Sequence, residues 1–328
     1  MTRRRSMSAA LLTVLTVGLL ATGCSTPSDG STQAVRDSTG ATLDLSSTQQ
    51  PITAPKNDAI AAKVPASIRE RGTLVIGQGS GTGSPPFSFP STDDNNVWVG
   101  DEVDIARLVA DTLGLKPDFR RSSWEGLFLG IDSGASDVGF SNITVTEARK
   151  DLYDFASYRT DILSLIARKS DPIRFTGYQD LTGKTIAVGS GTNQEKILVD
   201  WSEKLKAEGK APITIKYYQD VTGVWSALNA GQIDAYFGPN PINAFHDAQV
   251  RGTPNETTIV GQVSGAGSGV TGLIAATTKK GNPLIEPVRE ALDAVIQGGQ
   301  YREVLRRWNL DKEAVTSSQL NPPGLPRT

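Results

Sequence analysis

Apolar side chains recur through the middle of the chain with two alternating periods. Short runs at 73–77, 185–188 and 234–237 read as strands; stretches with apolar positions three and four apart read as helices. The clearest helix covers 101–113. Val103, Ile105, Ala106, Val109, Ala110 and Leu113 share a face there, and Gly114 offers a C-cap. The same reasoning predicts helices over 65–71, 124–133, 194–207, 222–230, 283–297 and 300–308, with further strands over 116–121, 137–140, 162–168 and 213–218. Strands and helices that alternate in this way predict α/β domains with mainly parallel sheets.

The two ends of the chain depart from that pattern. Arg3, Arg4 and Arg5 precede a short apolar run at 9–20, as in a secretory leader. Leu20, Ala21, Thr22, Gly23 and Cys24 then resemble a bacterial lipobox. The expectation is a signal peptide over 1–23 and a lipidated Cys24 that anchors the protein outside the plasma membrane, with export by Sec or by the twin-arginine route left open. Residues 24–65 are rich in Ser, Thr, Gln, Asp and Pro and read as a flexible tether. Residues 311–328 read as a disordered tail.

Composition narrows the function classes. At 328 residues the chain has room for two domains, and 38% hydrophobic content is ordinary for a packed protein. The net charge of −2 becomes more negative once the leader arginines are removed, which argues against a nucleic-acid partner. Cys24 is the only cysteine, so disulfides and thiolate clusters are excluded. His246 is the only histidine, so no histidine metal site or Ser-His triad can be assembled; packing or a surface position is its expected role. Two glycine-rich phosphate-loop lookalikes, at 77–83 and 177–185, lack the strand-loop-helix order that phosphate binding needs. No metal or cofactor is called for.

The stretch 141–149 carries the candidate chemistry. A strand ends in Ser141, Asn142 and Thr144, and a helix is expected to begin at Thr144 or Thr146, with Glu147 at capping-box spacing. Arg149 adds a planar fork of donors suited to a carboxylate. This corner can hold the carboxylate of a small solute. The same residues also suit a solvated face on which Arg149 pairs with Asp151 or Asp154.

Several stretches, taken in order, resemble the family 3 extracellular solute-binding proteins, the polar-amino-acid receptors of ABC importers. They are Arg71 to Gly77 with Pro85-Pro86-Phe87-Ser88-Phe89; Gly100-Asp101-Glu102-Val103-Asp104; Ser123-Trp124-Glu125-Gly126-Leu127 with Gly134 and Asp137; and the 141–149 corner with Asp154-Phe155. Leu181 to Asn193, Ala227 to Ala235, and Gly299 with Trp308 complete the set. The similarity covers about residues 66–310. It implies a two-lobed periplasmic-binding-protein-like fold of type II, each lobe a mainly parallel sheet flanked by helices. Lobe 1 is expected at 66–168 plus 270–310 and lobe 2 at 169–269, with a hinge near 263–269.

The resemblance also implies a set of ligand contacts. Arg149 is expected to grip a carboxylate, with Thr144, Asn142 and Ser141 beside it and Gly191, Thr192 and Asn193 reaching across from lobe 2. Trp124 and Phe87 are expected as aromatic walls. The family's ammonium-binding aspartate falls at Pro239, followed by Asn240, so the ligand is expected not to depend on a free α-ammonium there. The implied function is a monomeric, lipid-anchored receptor that delivers a small carboxylate-bearing solute to a permease and does no chemistry. The alternatives are a cleft enzyme of the same fold, dehydratase-like, or a sensor subunit.

Overall fold

The computed structural model describes residues 43–79 and 84–327. The expected leader, Cys24 and the first part of the expected tether lie outside the described residues. In chain order the elements begin with α1 (Asp58–Ala61), α2 (Ala66–Arg71), β1 (Thr73–Gly79), β2 (Phe89–Pro90), β3 (Trp98–Val99), α3 (Asp101–Leu113) and β4 (Lys116–Ser122). Next come α4 (Trp124–Ser133), β5 (Val138–Gly139), β6 (Tyr153–Thr160), β7 (Ile162–Arg168), β8 (Thr185–Val188), α5 (Asn193–Ala207) and β9 (Thr214–Tyr217). The last are α6 (Val221–Asn229), β10 (Ala235–Pro239), α7 (Asn240–Gln249), β11 (Thr257–Ser264), β12 (Leu273–Lys279), α8 (Ile285–Gly298) and α9 (Gln300–Arg307).

Two five-stranded sheets form, one per lobe. Lobe 1 has the order β4-β1-β5-β12-β6 and lobe 2 the order β11-β7-β10-β8-β9. Neither is mainly parallel. In lobe 1, β1 runs parallel to β4 and β5, while β12 runs antiparallel to β5 and β6. Lobe 2 repeats the balance, with β8 parallel to β9 and β10, and β7 antiparallel to β10 and β11. The mixture follows from connectivity. Strands that adjoin an interlobe crossing have no crossover helix of their own, so β6 pairs antiparallel with β12 and β7 with β11.

The crossings also move the lobe boundary. The chain leaves lobe 1 after Thr160 and returns between Ser264 and Leu273, so β7 belongs to lobe 2 and the first boundary lies at Asp161 instead of 168. Each lobe has its own core. In lobe 1, Ile105, Leu108 and Val109 of α3 pack with Leu74 and Ile76 of β1 and with Val288, Leu292 and Val304 of α8 and α9. In lobe 2, Leu163, Val188, Leu198 and Phe237 are joined in one cluster, and Val224, Leu228 and Ile233 in another. His246 packs as expected: its ring stacks on Trp225 at 3.7 Å, and burial pushes its pKa down to about 4.

The described stretches 43–65 and 311–327 are ordered where the sequence suggests flexibility. Leu43, Leu45, Ile60 and Val64 are buried in the lobe 1 core, and Asn57 caps α1 through its side chain. Four well-placed apolar anchors are enough because lobe 1 supplies the surface they cover. The C-terminal segment is likewise fixed. Ser157 donates its backbone N–H to Gln319, Asn321 to Phe155, and Leu325 to Val145. Leu325 therefore belongs to lobe 1 by its backbone, yet its side chain is buried in the lobe 2 core with Ile197 and Ala266.

Candidate functional site

The cleft lies where α4 and the 141–149 corner of lobe 1 face the start of α5 in lobe 2. Ser123 caps α4 by accepting from the Gly126 N–H at 3.0 Å, which sets Trp124 and Glu125 at the cleft edge. Across from them, Thr192 caps α5, its hydroxyl accepting from Glu195 N–H at 3.1 Å and donating to the Gly189 carbonyl at 2.7 Å. Gly191 stands at φ 71°, a conformation natural to glycine, and this turns its carbonyl towards lobe 1. That oxygen accepts from Trp124 Nε1 at 3.3 Å and from an Arg149 terminal nitrogen at 3.1 Å. Two donors of one lobe thus meet one acceptor of the other.

Arg149 bridges the lobes. Its other terminal nitrogen donates to the Thr144 carbonyl at 2.9 Å, and the guanidinium lies over the Trp124 and Phe128 rings at 5.4 and 5.3 Å. Burial lowers its pKa to about 10, against the pull of Asp161 and Tyr153. It forms no ion pair among the described residues. Asp151 pairs with Arg327 and Asp154 with Lys280, so the surface pairing considered for Arg149 is not formed. The expected helix start is also revised. The corner runs into a short 3₁₀ turn, Arg149–Asp151, whose N-cap is Ala148; the Thr146 hydroxyl accepts from the Arg149 N–H at 3.0 Å, and Thr144 takes no part.

Thr144 is used elsewhere. Its hydroxyl donates to Asp161 at 2.6 Å, and Asn193 of α5 donates to the same carboxylate at 3.0 Å and to the Gly265 carbonyl at 2.8 Å. Asp161 sits in the first crossing and is tied by its backbone to Gly272 and Gly265 of the second. A Cβ on Gly265 would lie 1.8 Å from its carboxylate, so only glycine allows this approach. Burial raises the pKa of Asp161, opposed by the Thr144 bond and by Arg159.

The cleft lining includes Trp124, Glu125 and Asn142 from lobe 1, and Thr192, Asn193, Gln194, Asp220, Tyr236 and Pro239 from lobe 2. Several expected contacts fall outside it. Ser141 is buried and accepts from Gly79 N–H at 2.9 Å, fixing the end of β1. Phe87 is fully buried beneath the Arg159 guanidinium, 4.9 Å from its ring centroid. Asn240 accepts from Gln262 at 2.7 Å and lines a different cavity, beside Ile162 and Phe245. Neither Phe87 nor Asn240 is a cleft wall, because each is drawn off by a neighbour from another element, Phe87 by Arg159 of β6 and Asn240 by Gln262 of β11.

Beneath the cleft floor lies a charge cluster that the sequence pattern does not reveal. Arg159 is fully buried. It donates to Glu102 at 2.9 Å, to Asn142 Oδ1 at 2.6 Å and to Glu313, with Asp101 at 3.2 Å from Nε. Burial alone would lower the Arg159 pKa, but Asp101, Glu313 and Glu102 hold it above the ordinary value. Burial raises Glu313 to about 7 and Asp101 well above the usual carboxylate range. The cluster holds Asn142, at φ 49°, in place on the floor.

Known proteins share this architecture. The L-cystine-binding protein TcyJ of Escherichia coli (strain K12) is 29% identical over 244 residues, covering 74% of this chain and 84% of that protein. The arginine-binding protein ArgT of Corynebacterium glutamicum (strain ATCC 13032) is 26% identical over 267 residues, covering 80% and 82%. Among solved structures, an ancestral arginine-binding protein bound to arginine superposes with a TM-score of 0.62 at 26% identity, covering 73% of this chain and 98% of that one. The family model for bacterial extracellular solute-binding proteins, family 3, matches residues 76–311, and the chain belongs to that family.

Proposed function

We propose that this protein is the extracytoplasmic receptor of an ABC importer, capturing an amino acid or a close derivative between its lobes and presenting it to the permease. The observation that carries this reading is the Gly191 carbonyl, held jointly by Trp124 and Arg149, which joins the two lobes at the mouth of a lined cleft. Arg149 is a half-buried cation whose hydrogen bonds go to carbonyl oxygens, so a ligand carboxylate is a stronger partner than those it has. The ligand carboxylate takes the place of the Gly191 oxygen, with Thr192 and the start of α5 beside it. Asn142, Trp124 and Asn193 complete that end.

The protein acts by closure alone and as a monomer. Ligand favours the closed arrangement by its extra contacts there, and the permease reads that arrangement. Relatives named for cystine and arginine binding support an amino-acid ligand. Among the described residues no helix is long and apolar enough to cross a membrane, and attachment is through the lipidated Cys24. Calorimetric titration with the twenty amino acids and cystine tests the reading. Saturable binding of at least one, lost in Arg149→Ala, is the expected result; no binding across the panel overturns it.

A further inference from the structure

The cleft walls carry acidic charge and a buried acceptor that lacks a donor. Glu125 and Asp220 are the carboxylates among the lining residues, and neither has a cationic partner among the described residues. One Asp220 oxygen accepts the Gly223 N–H at 2.9 Å as the cap of α6, which aims the carboxylate and leaves its second oxygen for another donor. Gln194 lines the same cleft and is only 6% exposed. Its Oε1 is buried with no hydrogen-bond donor within reach among the described residues. A buried acceptor left unpaired is costly, and such atoms point to what a site is built to receive.

The remaining walls favour the same kind of guest. Trp124, Tyr218 and Tyr236 offer aromatic faces, whose negative quadrupole attracts cations, a planar one best of all. Pro239 contributes neither donor nor charge, so Asp220, Glu125 and Gln194 supply the acceptors. We infer that these three form a cation subsite, which selects amino acids whose side chain ends in a guanidinium or primary ammonium over neutral side chains of equal length. Arg149 then fixes the carboxylate end and the acidic wall fixes the far end, so the ligand lies along the cleft. This inference rests on the receptor reading above and adds the class of side chain to it.

Paired ligands on the full chain test it. L-arginine and L-citrulline are nearly isosteric and differ in charge, as do L-lysine and L-norleucine. Calorimetry is expected to give the cationic member of each pair an advantage of about tenfold or more, the scale of one charge-assisted contact. Asp220→Asn keeps the α6 cap, and Gln194→Met keeps the volume; in each the advantage should shrink to about threefold or less. Melting curves verify that both variants fold. Equal binding of arginine and citrulline by the unaltered protein, or tight binding of cystine with neither of them, overturns the cation subsite and leaves the receptor reading intact. Binding of no amino acid at all removes both.

Discussion

Thr144 and Asn193 come from opposite lobes and donate to the same carboxylate oxygen, that of Asp161, at 2.6 and 3.0 Å. A hydrogen bond to a charged group is worth about 1.5–3 kcal/mol. Asp161→Ala should therefore lower the melting temperature by several degrees and detach Asn193 from the first crossing, leaving it only its bond to the Gly265 carbonyl. It should also enlarge the radius of gyration seen by small-angle scattering without ligand. Unchanged scattering together with unchanged melting would falsify the idea that this oxygen ties the lobes.

Arg149 makes contacts in both lobes and, in the proposed complex, to the ligand. Arg149→Ala should weaken binding by about tenfold to a thousandfold. Arg149→Lys keeps the charge but loses the fork that spans the Thr144 and Gly191 carbonyls, so its affinity should fall between the two. Calorimetry with the tightest amino acid ranks the three proteins, and near-equal affinities count against a ligand role.

Glu313 predicts an unusual pH dependence. Its pKa rises from an ordinary 4.5 in the unfolded chain to about 7 in the fold, chiefly through burial. Between those values the folded state holds more protons than the unfolded state, so stability falls as pH rises from about 4.5 through 7. The contribution is complete below 4.5 and spans about 3 kcal/mol at most. Urea melts from pH 4.5 to 8 should show a decline that Glu313→Gln flattens. His246 acts in the opposite sense, costing stability as pH falls from 6.5 towards its folded value of about 4. The comparison must therefore be made against the variant and not on the raw curve.

Leu325 is 6% exposed and sits in the lobe 2 core. Leu325→Ala should cost about 2–5 kcal/mol if the surrounding side chains do not collapse into the space. A chain ending at Asn321 should lose at least as much. Equal denaturation midpoints for these proteins and the parent would show that the segment adds nothing.

Cys24 is tested by fractionation. Cys24→Ser should move the protein from the membrane fraction to the soluble envelope or the medium, with ligand affinity unchanged. Membrane retention of this variant rules out the lipid anchor.

Local pattern was a good guide wherever an element satisfies its own needs. The α3 helix ends at Gly114, α4 covers 124–133 and β7 covers 162–168, as their apolar periods require. Pattern failed where tertiary partners pay for polar residues. β6 contains Asp154, Ser157 and Arg159, and its charges are met by Lys280 and by the Glu102–Glu313 cluster, so a buried strand reads as a mixed loop. β11 and α7 are polar for similar reasons, the Asn243 amide N–H donating to the carbonyl and hydroxyl of Ser164. The site was half legible. Arg149, Trp124, Thr192 and Asn193 do gather at the lobe junction, whereas Asp161, Gln194 and Asp220 acquire significance only from what lies opposite them.

Besides the hydrogen bonds at Gly191 and Asp161, three chain segments join the lobes, and they are not alike. Two are continuous backbone, at Asp161 and at 265–272; the third ends in the Leu325 side chain, seated against Ala266 and Gly267. That third segment can detach without breaking the chain. A protease that trims the C-terminal segment, and with it the Leu325 backbone bonds to Val145 and Glu147, would soften the joint. Stiffness at this joint is thus open to adjustment from outside, independently of what the protein carries.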